Sequence, residues 1–352
     1  MTPLAQRLIA RISRMGPISI ADYMADCLMD PTYGYYATSD PLGATGDFIT
    51  APEISQMFGE MIGLCLAQSW LDQGAPTPFV LAELGPGRGT LMADIIRATR
   101  SVPGFHAGMQ IHLVETSPIL RAQQAKVVAD AEWHDDITTL PENPMFLVAN
   151  EFFDALPIRQ FVRAGAGWRE RMVGAADEEL TFGLSDAAPL AALDHRLDDT
   201  KDGDLIEHCP ALPGIIQIVS ERINTHGGAA LIIDYGDWES LGDTLQAIAA
   251  HEKVNPLTKP GQVDLTAHVD FAALAANAAP AKFTRLTPQG VFLERLGITD
   301  RAQTLANQLS GEALEGHIAA HRRLTHPAEM GDLFKVIGLY PAAAQPPPGL
   351  EP

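Results

Sequence analysis

Basic residues, cysteines and long apolar runs are all scarce in this sequence. Its 352 residues hold 24 Lys and Arg against 44 Asp and Glu, a formal net charge of −20. A nucleic-acid backbone requires a basic footprint, so that class of partner is set aside, and a cationic substrate or cofactor fits better. The three cysteines, Cys27, Cys65 and Cys209, lie far apart and form no CxxC pair. They spell neither a disulfide framework nor a zinc knot, and they fit a reducing compartment. The most apolar runs, such as 61–71 and 229–233, fall short of the ~20 residues that span a bilayer. What remains is a globular composition, 46% hydrophobic and 19% charged, long enough for one large or two modest domains.

No acidic residue precedes Asp22, and Arg7, Arg11 and Arg14 fall in that stretch, a faint sign of an organelle leader. Leu4, Leu8, Ile12 and Met15 at helical spacing give the simpler reading, an amphipathic helix of the folded protein. Residues 1–75 read as a helical cap, broken by a Gly- and Tyr-rich segment at 30–52. Thr50-Ala51-Pro52-Glu53 has capping-box spacing, and the stripe Ile54, Met57, Phe58, Met61, Ile62 and Cys65 follows, so a long helix is expected to start there.

From Phe79 the pattern changes to short apolar strands, 79–85, 110–115, 145–151 and 230–236, separated by helical stretches. That pattern predicts an α/β fold, a doubly wound parallel sheet covered on both faces. The domain at 76–340 carries insertions at about 155–228 and 237–280, the first opening with a hairpin over 159–174 that turns at Gly165 to Gly167. Strand candidates follow at 283–287 and 333–339, with an antiparallel strand expected near the C-terminus, and the Ala- and Pro-rich tail 341–352 reads as disordered.

The most informative local signal is a strand, then Gly85-x-Gly87-x-Gly89, then a helix. Glycines let backbone amides approach a ligand closely, and the helix start offers unpaired N–H donors. The dinucleotide pattern GxGxxG is not met, because Thr90 follows Gly89, and NAD is thereby demoted. Glu83 just before the turn disfavours a phosphate-rich ligand and suits a cation. Glu115 ends the next strand, placed to accept both ribose hydroxyls of a nucleoside. Asp135 and Asp136 follow a further strand candidate at 131–133, placed for an adenine amino group. With Asn150 at the end of the 145–151 strand, Glu83, Gly85, Gly87, Gly89, Glu115 and Asp136 form the candidate cofactor set. S-adenosylmethionine, with its nucleoside, amino acid and sulfonium charge, matches those donors and acceptors.

Several segments together resemble the MidA-type class I S-adenosylmethionine-dependent methyltransferases, a family that includes the mitochondrial arginine methyltransferase needed for assembly of respiratory complex I. They are 30–61 (with GATGDFITAPEIS), 84–97, 113–124, 150–161, 233–236, 260–274 and 330–336, spread over nearly the whole chain. The resemblance implies a Rossmann-like methyltransferase sheet, an N-terminal helical region over the active site, and methylation of a protein arginine on a complex I core subunit. The implied compartment is the cytoplasm of a bacterium, or the mitochondrial matrix of a eukaryote.

Methyl transfer is an in-line displacement that depends on aligning a lone pair at ~3–3.5 Å. Guanidinium is a poor nucleophile, its pKa above ~12. An arginine methyltransferase must therefore grip the planar cation with carboxylates. Glu151 and Asp154 follow the 145–151 strand, Asp47 lies in the GDF loop, and His268 sits between Asp264 and Asp270. Glu151, Asp154, His268 and Asp47 are the candidate catalytic residues, His268 as a proton relay or positioning group. Each has a blander role available: Asp154 as a helix cap, His268 as a satisfied loop residue, Asp234 as a strand anchor, and Tyr33, Tyr35 and Tyr36 as packing. His317 and His321 have metal-ligand spacing but no third ligand nearby, so no metal is expected. Rival functions are a methyltransferase of another side chain or a small molecule, and an assembly chaperone that keeps the fold without the chemistry.

Overall fold

The computed structural model describes residues 1–38, 50–249 and 252–352. In chain order the central strands are β1 (Phe79–Leu84), β2 (Met109–Val114), β3 (Ala131–His134), β4 (Met145–Asn150), β5 (Gly228–Asp237) and β6 (Phe334–Tyr340). They lie side by side as β3-β2-β1-β4-β5-β6. The first five are parallel, and β6 runs antiparallel to β5. The order reverses between β1 and β4, which opens a crevice at the carboxyl edge of the sheet, the usual ligand position in such folds.

β1 is buried at every position because helices cover both faces of the sheet. Phe79 and Leu81 join a cluster with Met57, Phe58, Ile62 and Leu66 of the helix Gln56–Asp72. Val80, Ala82 and Leu84 face the other way, into a cluster with Ile216, Val219 and Ile223 of the helix Leu212–His226. The period-2 alternation of a strand therefore splits one apolar segment between two cores.

The 155–228 insertion contributes a second sheet. Its hairpin pairs Arg159–Ala164 with Gly167–Ala176, and Gly165 holds the positive φ (59°) that the tight turn requires. The helices Pro3–Met15 and Ile20–Met29 pack Leu4, Leu8, Ile20, Tyr23 and Met24 against Ile158 and Val173 of this unit.

Four sequence expectations change. Met15 is not on the buried face: it ends its helix beside Gly16 and is 78% exposed. The capping box does not form. Thr50 starts only the short helix Ala51–Ile54 without a side-chain cap bond, while Ser55 caps the long helix by accepting from the Met57 N–H. Glu53 is committed elsewhere, accepting the Thr90 hydroxyl at 2.6 Å. The 283–287 strand splits into pairings at Lys282–Phe283 and Thr287–Pro288, because Thr284 bonds Gly338 through both its backbone N–H and its hydroxyl. The 341–352 tail is ordered against the core: Leu350 and Pro347 meet Gly338, and the Arg295 guanidinium donates to the Gly349 carbonyl. Prolines reduce the entropy that ordering such a segment costs. His317 and His321 each bond a neighbour on the preceding helix, His317 the Ala302 carbonyl and His321 the Thr299 hydroxyl.

If the tail is part of the core, Leu350→Ala removes buried apolar volume and lowers unfolding free energy by about 2 kcal/mol in urea titration. An unchanged midpoint would mean that Leu350 packs against nothing.

Candidate cofactor and acceptor site

The crevice at the switch point is a cavity of about 420 Å³. Three glycines bend its floor: Gly85, Gly87 and Gly89 carry φ of 60°, 54° and 84°, values that side chains with a Cβ rarely adopt. A Cβ on Gly85 would also stand 2.9 Å from the Phe152 ring. Gly89 then leads into the helix Thr90–Ala98, whose first amides open on the crevice.

Each of the three central strands delivers a glutamate at this edge. Glu83, on β1, is 3% exposed and lines the cavity. Burial pushes its carboxyl up to about 8, opposed only by the Met92 backbone N–H. Its Oε2 has no hydrogen-bond partner among the described residues, and neither does Oδ1 of Asn150 on the same wall. Two bare acceptors in one apolar-lined cavity leave a vacancy for a ligand N–H group, best met by an ammonium. Glu115, after β2, is also raised by burial, but accepts from the Ser117 N–H (2.8 Å) and from Gln124. Gln124 is a residue that the sequence reading missed. It bonds the Gly87 carbonyl at 2.7 Å and receives the Trp133 N–H, so it ties the glycine turn to Glu115 and β3. No motif spacing announces it; only the fold brings it there.

At the far end Asp135 and Asp136 line the cavity. Asp136 is partly committed, accepting the Thr138 N–H that starts a helical turn, which holds its carboxyl below the usual range.

Glu151, after β4, lines the same cavity beside Asn150. Its backbone is left-handed (φ 51°), a strained conformation for a glutamate. The carboxylate accepts from the Ala51 N–H and the Asn150 amide, both at 3.1 Å. Burial, followed by the charge of Asp154, pushes it up to about 7. Asp234 holds the loop in place by accepting the Phe153 and Asp154 N–H groups at 3.0 and 3.2 Å. Asp154 itself stands behind the wall, hydrogen-bonded by Tyr235 and raised by burial to about 6. His268 likewise lies off the cavity, its ring edge-on to Tyr235 at 5.2 Å, and burial followed by the charges of Lys253 and Lys335 lowers its pKa. Tyr36 lines the cavity and donates to Asp264 at 3.2 Å; Tyr35 is buried beneath it, and Tyr33 lies outside under Arg7. Asp270 caps the helix Phe271–Ala276. Asp47 lies outside the described residues.

A family model described as S-adenosyl-L-methionine-dependent methyltransferase matches residues 61–289. The chain belongs to that methyltransferase family. It is 35% identical to the mitochondrial protein arginine methyltransferase NDUFAF7 of Bos taurus, over 97% of this chain and 84% of that protein. It is 37% identical to the Mus musculus protein of the same name, over 97% and 85%. A crystal structure from Burkholderia thailandensis, described as a methyl transferase bound to S-adenosyl-homocysteine, shares 29% identity and a TM-score of 0.79, covering 96% of this chain and 91% of that one. The cofactor of this methyltransferase is S-adenosyl-L-methionine, and the Rossmann-like fold is that of the family. The bare oxygens of Glu83 and Asn150 suit its amino-acid ammonium, and Glu115 its ribose. No helix among the described residues is long and apolar enough to cross a membrane. The curated relatives are named mitochondrial, so they lend a cytoplasmic location no support.

A buried acid whose pKa is raised stabilises the fold below its unfolded value, and that contribution is lost as the pH climbs through the folded value, here about 8. Glu83→Gln is therefore expected to match the parent's Tm near pH 5 and to exceed it by about 2–4 °C above pH 8. The same variant binds S-adenosylhomocysteine about 10- to 100-fold more weakly by calorimetry. Equal affinity would remove Glu83 from the cofactor site.

Proposed function

We propose that the acceptor is an arginine side chain of a protein, a core subunit of respiratory complex I, and that residues 1–75 act as the cap over it. The observation that carries this reading is Glu151, a buried carboxylate that lines the cavity together with Glu83. Met29, Tyr36, Thr50, Pro52 and Glu53 of the N-terminal region line the same cavity, so the acceptor's entrance is framed by aromatic, apolar and acidic groups. The names of the mammalian relatives, protein arginine methyltransferase, support the same acceptor.

When bound, S-adenosyl-L-methionine supplies an electrophilic methyl group. The chain's part is positional. Ionised Glu151 grips two guanidinium N–H groups, orients the plane, and draws positive charge toward itself so that the remaining nitrogen regains lone-pair character. Asp234 fixes the strained loop that aims Glu151. The departing proton has a chain of acceptors in Glu151, Asp154 and Asp234, all raised by burial, with neighbouring carboxylate charge adding to it at Glu151 and Asp234. Asp154 and His268 act from behind the wall, as supports of that chain. Asp47 would join from the GDF loop. In a bacterial cell this chemistry belongs to the cytoplasm, in a eukaryotic one to the mitochondrial matrix.

Because the grip needs the carboxylate, turnover is expected to rise with pH through about 7 and level off above it. Glu151→Gln is expected to lower kcat at least ~100-fold while leaving S-adenosylhomocysteine affinity within about threefold. Mass spectrometry of complex I from cells carrying that variant should show unmethylated arginine. An unchanged methylarginine would overturn the acceptor, and methyl transfer to lysine or to a small molecule alone would replace it. Restored assembly without methylation would favour the chaperone role.

A further inference from the structure

Away from the crevice, three potential metal ligands meet on one face of the sheet edge. His112 on β2 pairs in register with Glu132 on β3, and His134 follows two residues later on the same face of β3. We propose that His112, Glu132 and His134 form a binding site for a divalent transition metal of the zinc class, with one coordination position left open.

The geometry supports it. Nδ1 of His112 lies 2.9 Å from Nε2 of His134, and the Glu132 carboxylate lies 3.9 and 4.0 Å from those two atoms. Ligand atoms around a tetrahedral zinc at ~2.0–2.1 Å stand about 3.3 Å apart, so shifts of well under 1 Å close the triangle. A second contact sets the tautomer. The Thr139 hydroxyl donates to the Asp136 carbonyl at 2.8 Å, so it accepts Nδ1–H of His134, also at 2.8 Å. Nε2 of His134 is then left with its lone pair facing the site, as a metal ligand must be. The proton now between the two rings belongs to Nδ1 of His112. On metal binding it moves to Nε2 of the same ring, an atom without a partner among the described residues, and no net proton is lost. Both imidazoles are buried, at 3% and 6% exposure, so little solvent competes for their ring nitrogens. The Glu132 side chain is 70% exposed and, with His112, borders a surface cavity of about 620 Å³, which gives an ion its way in.

Two imidazoles and a carboxylate form a borderline donor set, suited to Zn²⁺ or Co²⁺ rather than Ca²⁺ or Mg²⁺. The ion would cross-link β2 to the edge strand β3, whose continuation, Asp135 and Asp136, lines the cofactor cavity. The sequence spacing hides the site, because His112 lies 22 residues from His134 while the more conspicuous pair is His317 and His321.

The test is a titration of the EDTA-treated full-length protein with Co²⁺, read by visible d–d absorption, followed by displacement with Zn²⁺. One equivalent bound at micromolar or tighter Kd is expected, weakened about tenfold or more in Glu132→Gln, a change at an exposed position that leaves the fold intact, and lost in His134→Gln with circular dichroism unchanged. The double variant His317→Ala/His321→Ala is expected to keep it. Three outcomes would overturn the site: no cobalt spectrum at 1 mM metal, a spectrum untouched by Glu132→Gln, or a spectrum abolished by the His317/His321 pair.

Discussion

A carboxylic acid sealed inside an apolar-lined crevice with half of its acceptor capacity unused is the constraint around which this protein is arranged. Among the described residues no base lowers the Glu83 carboxyl; its charge is instead held back by burial. Such a group is a standing cost to the folded chain. It is removed when a cation with N–H donors enters, so the stability given up in the empty crevice reappears as selectivity for an amino-acid ammonium.

The same logic extends along the carboxyl edge of the sheet. β1, β2 and β4 each end in or beside a glutamate, and the parallel topology brings Glu83, Glu115 and Glu151 onto one cavity. They are not equivalent. Glu115 is largely satisfied by Ser117 and Gln124 and serves as a fixed acceptor; Glu83 is bare; Glu151 is strained, buried and crowded by Asp154. One sheet edge thereby offers three carboxyls tuned to different tasks by their surroundings alone. Behind them Asp234 spends its charge on backbone amides and keeps the β4 loop from relaxing.

What could be read from residue order was the part written in local patterns. Apolar runs fixed the four main strands to within a residue or two, and the three glycines marked the turn of positive φ that follows β1. Glu83, Glu115 and Glu151 were legible because strand ends in such folds face the ligand. The failures came where tertiary partners overrode local grammar. Thr50 to Glu53 looked like a cap, yet Glu53 is claimed by Thr90, 37 residues further along the chain. The proline-rich tail looked free, yet Leu350 finds a pocket against Gly338 and Phe292. Gln124 and the His112, Glu132 and His134 group carry no spacing signal, since strand register alone assembles them.

The central claim is that Glu83 is largely neutral in the empty crevice and gives up its proton to receive the cofactor's ammonium. Isothermal calorimetry of S-adenosylhomocysteine binding at pH 7, in buffers of different ionisation enthalpy, measures that proton directly. The account predicts release of close to one proton per cofactor in the parent protein, and a marked loss of that release in Glu83→Gln. Proton uptake, no exchange at all, or the same release in both proteins would contradict it.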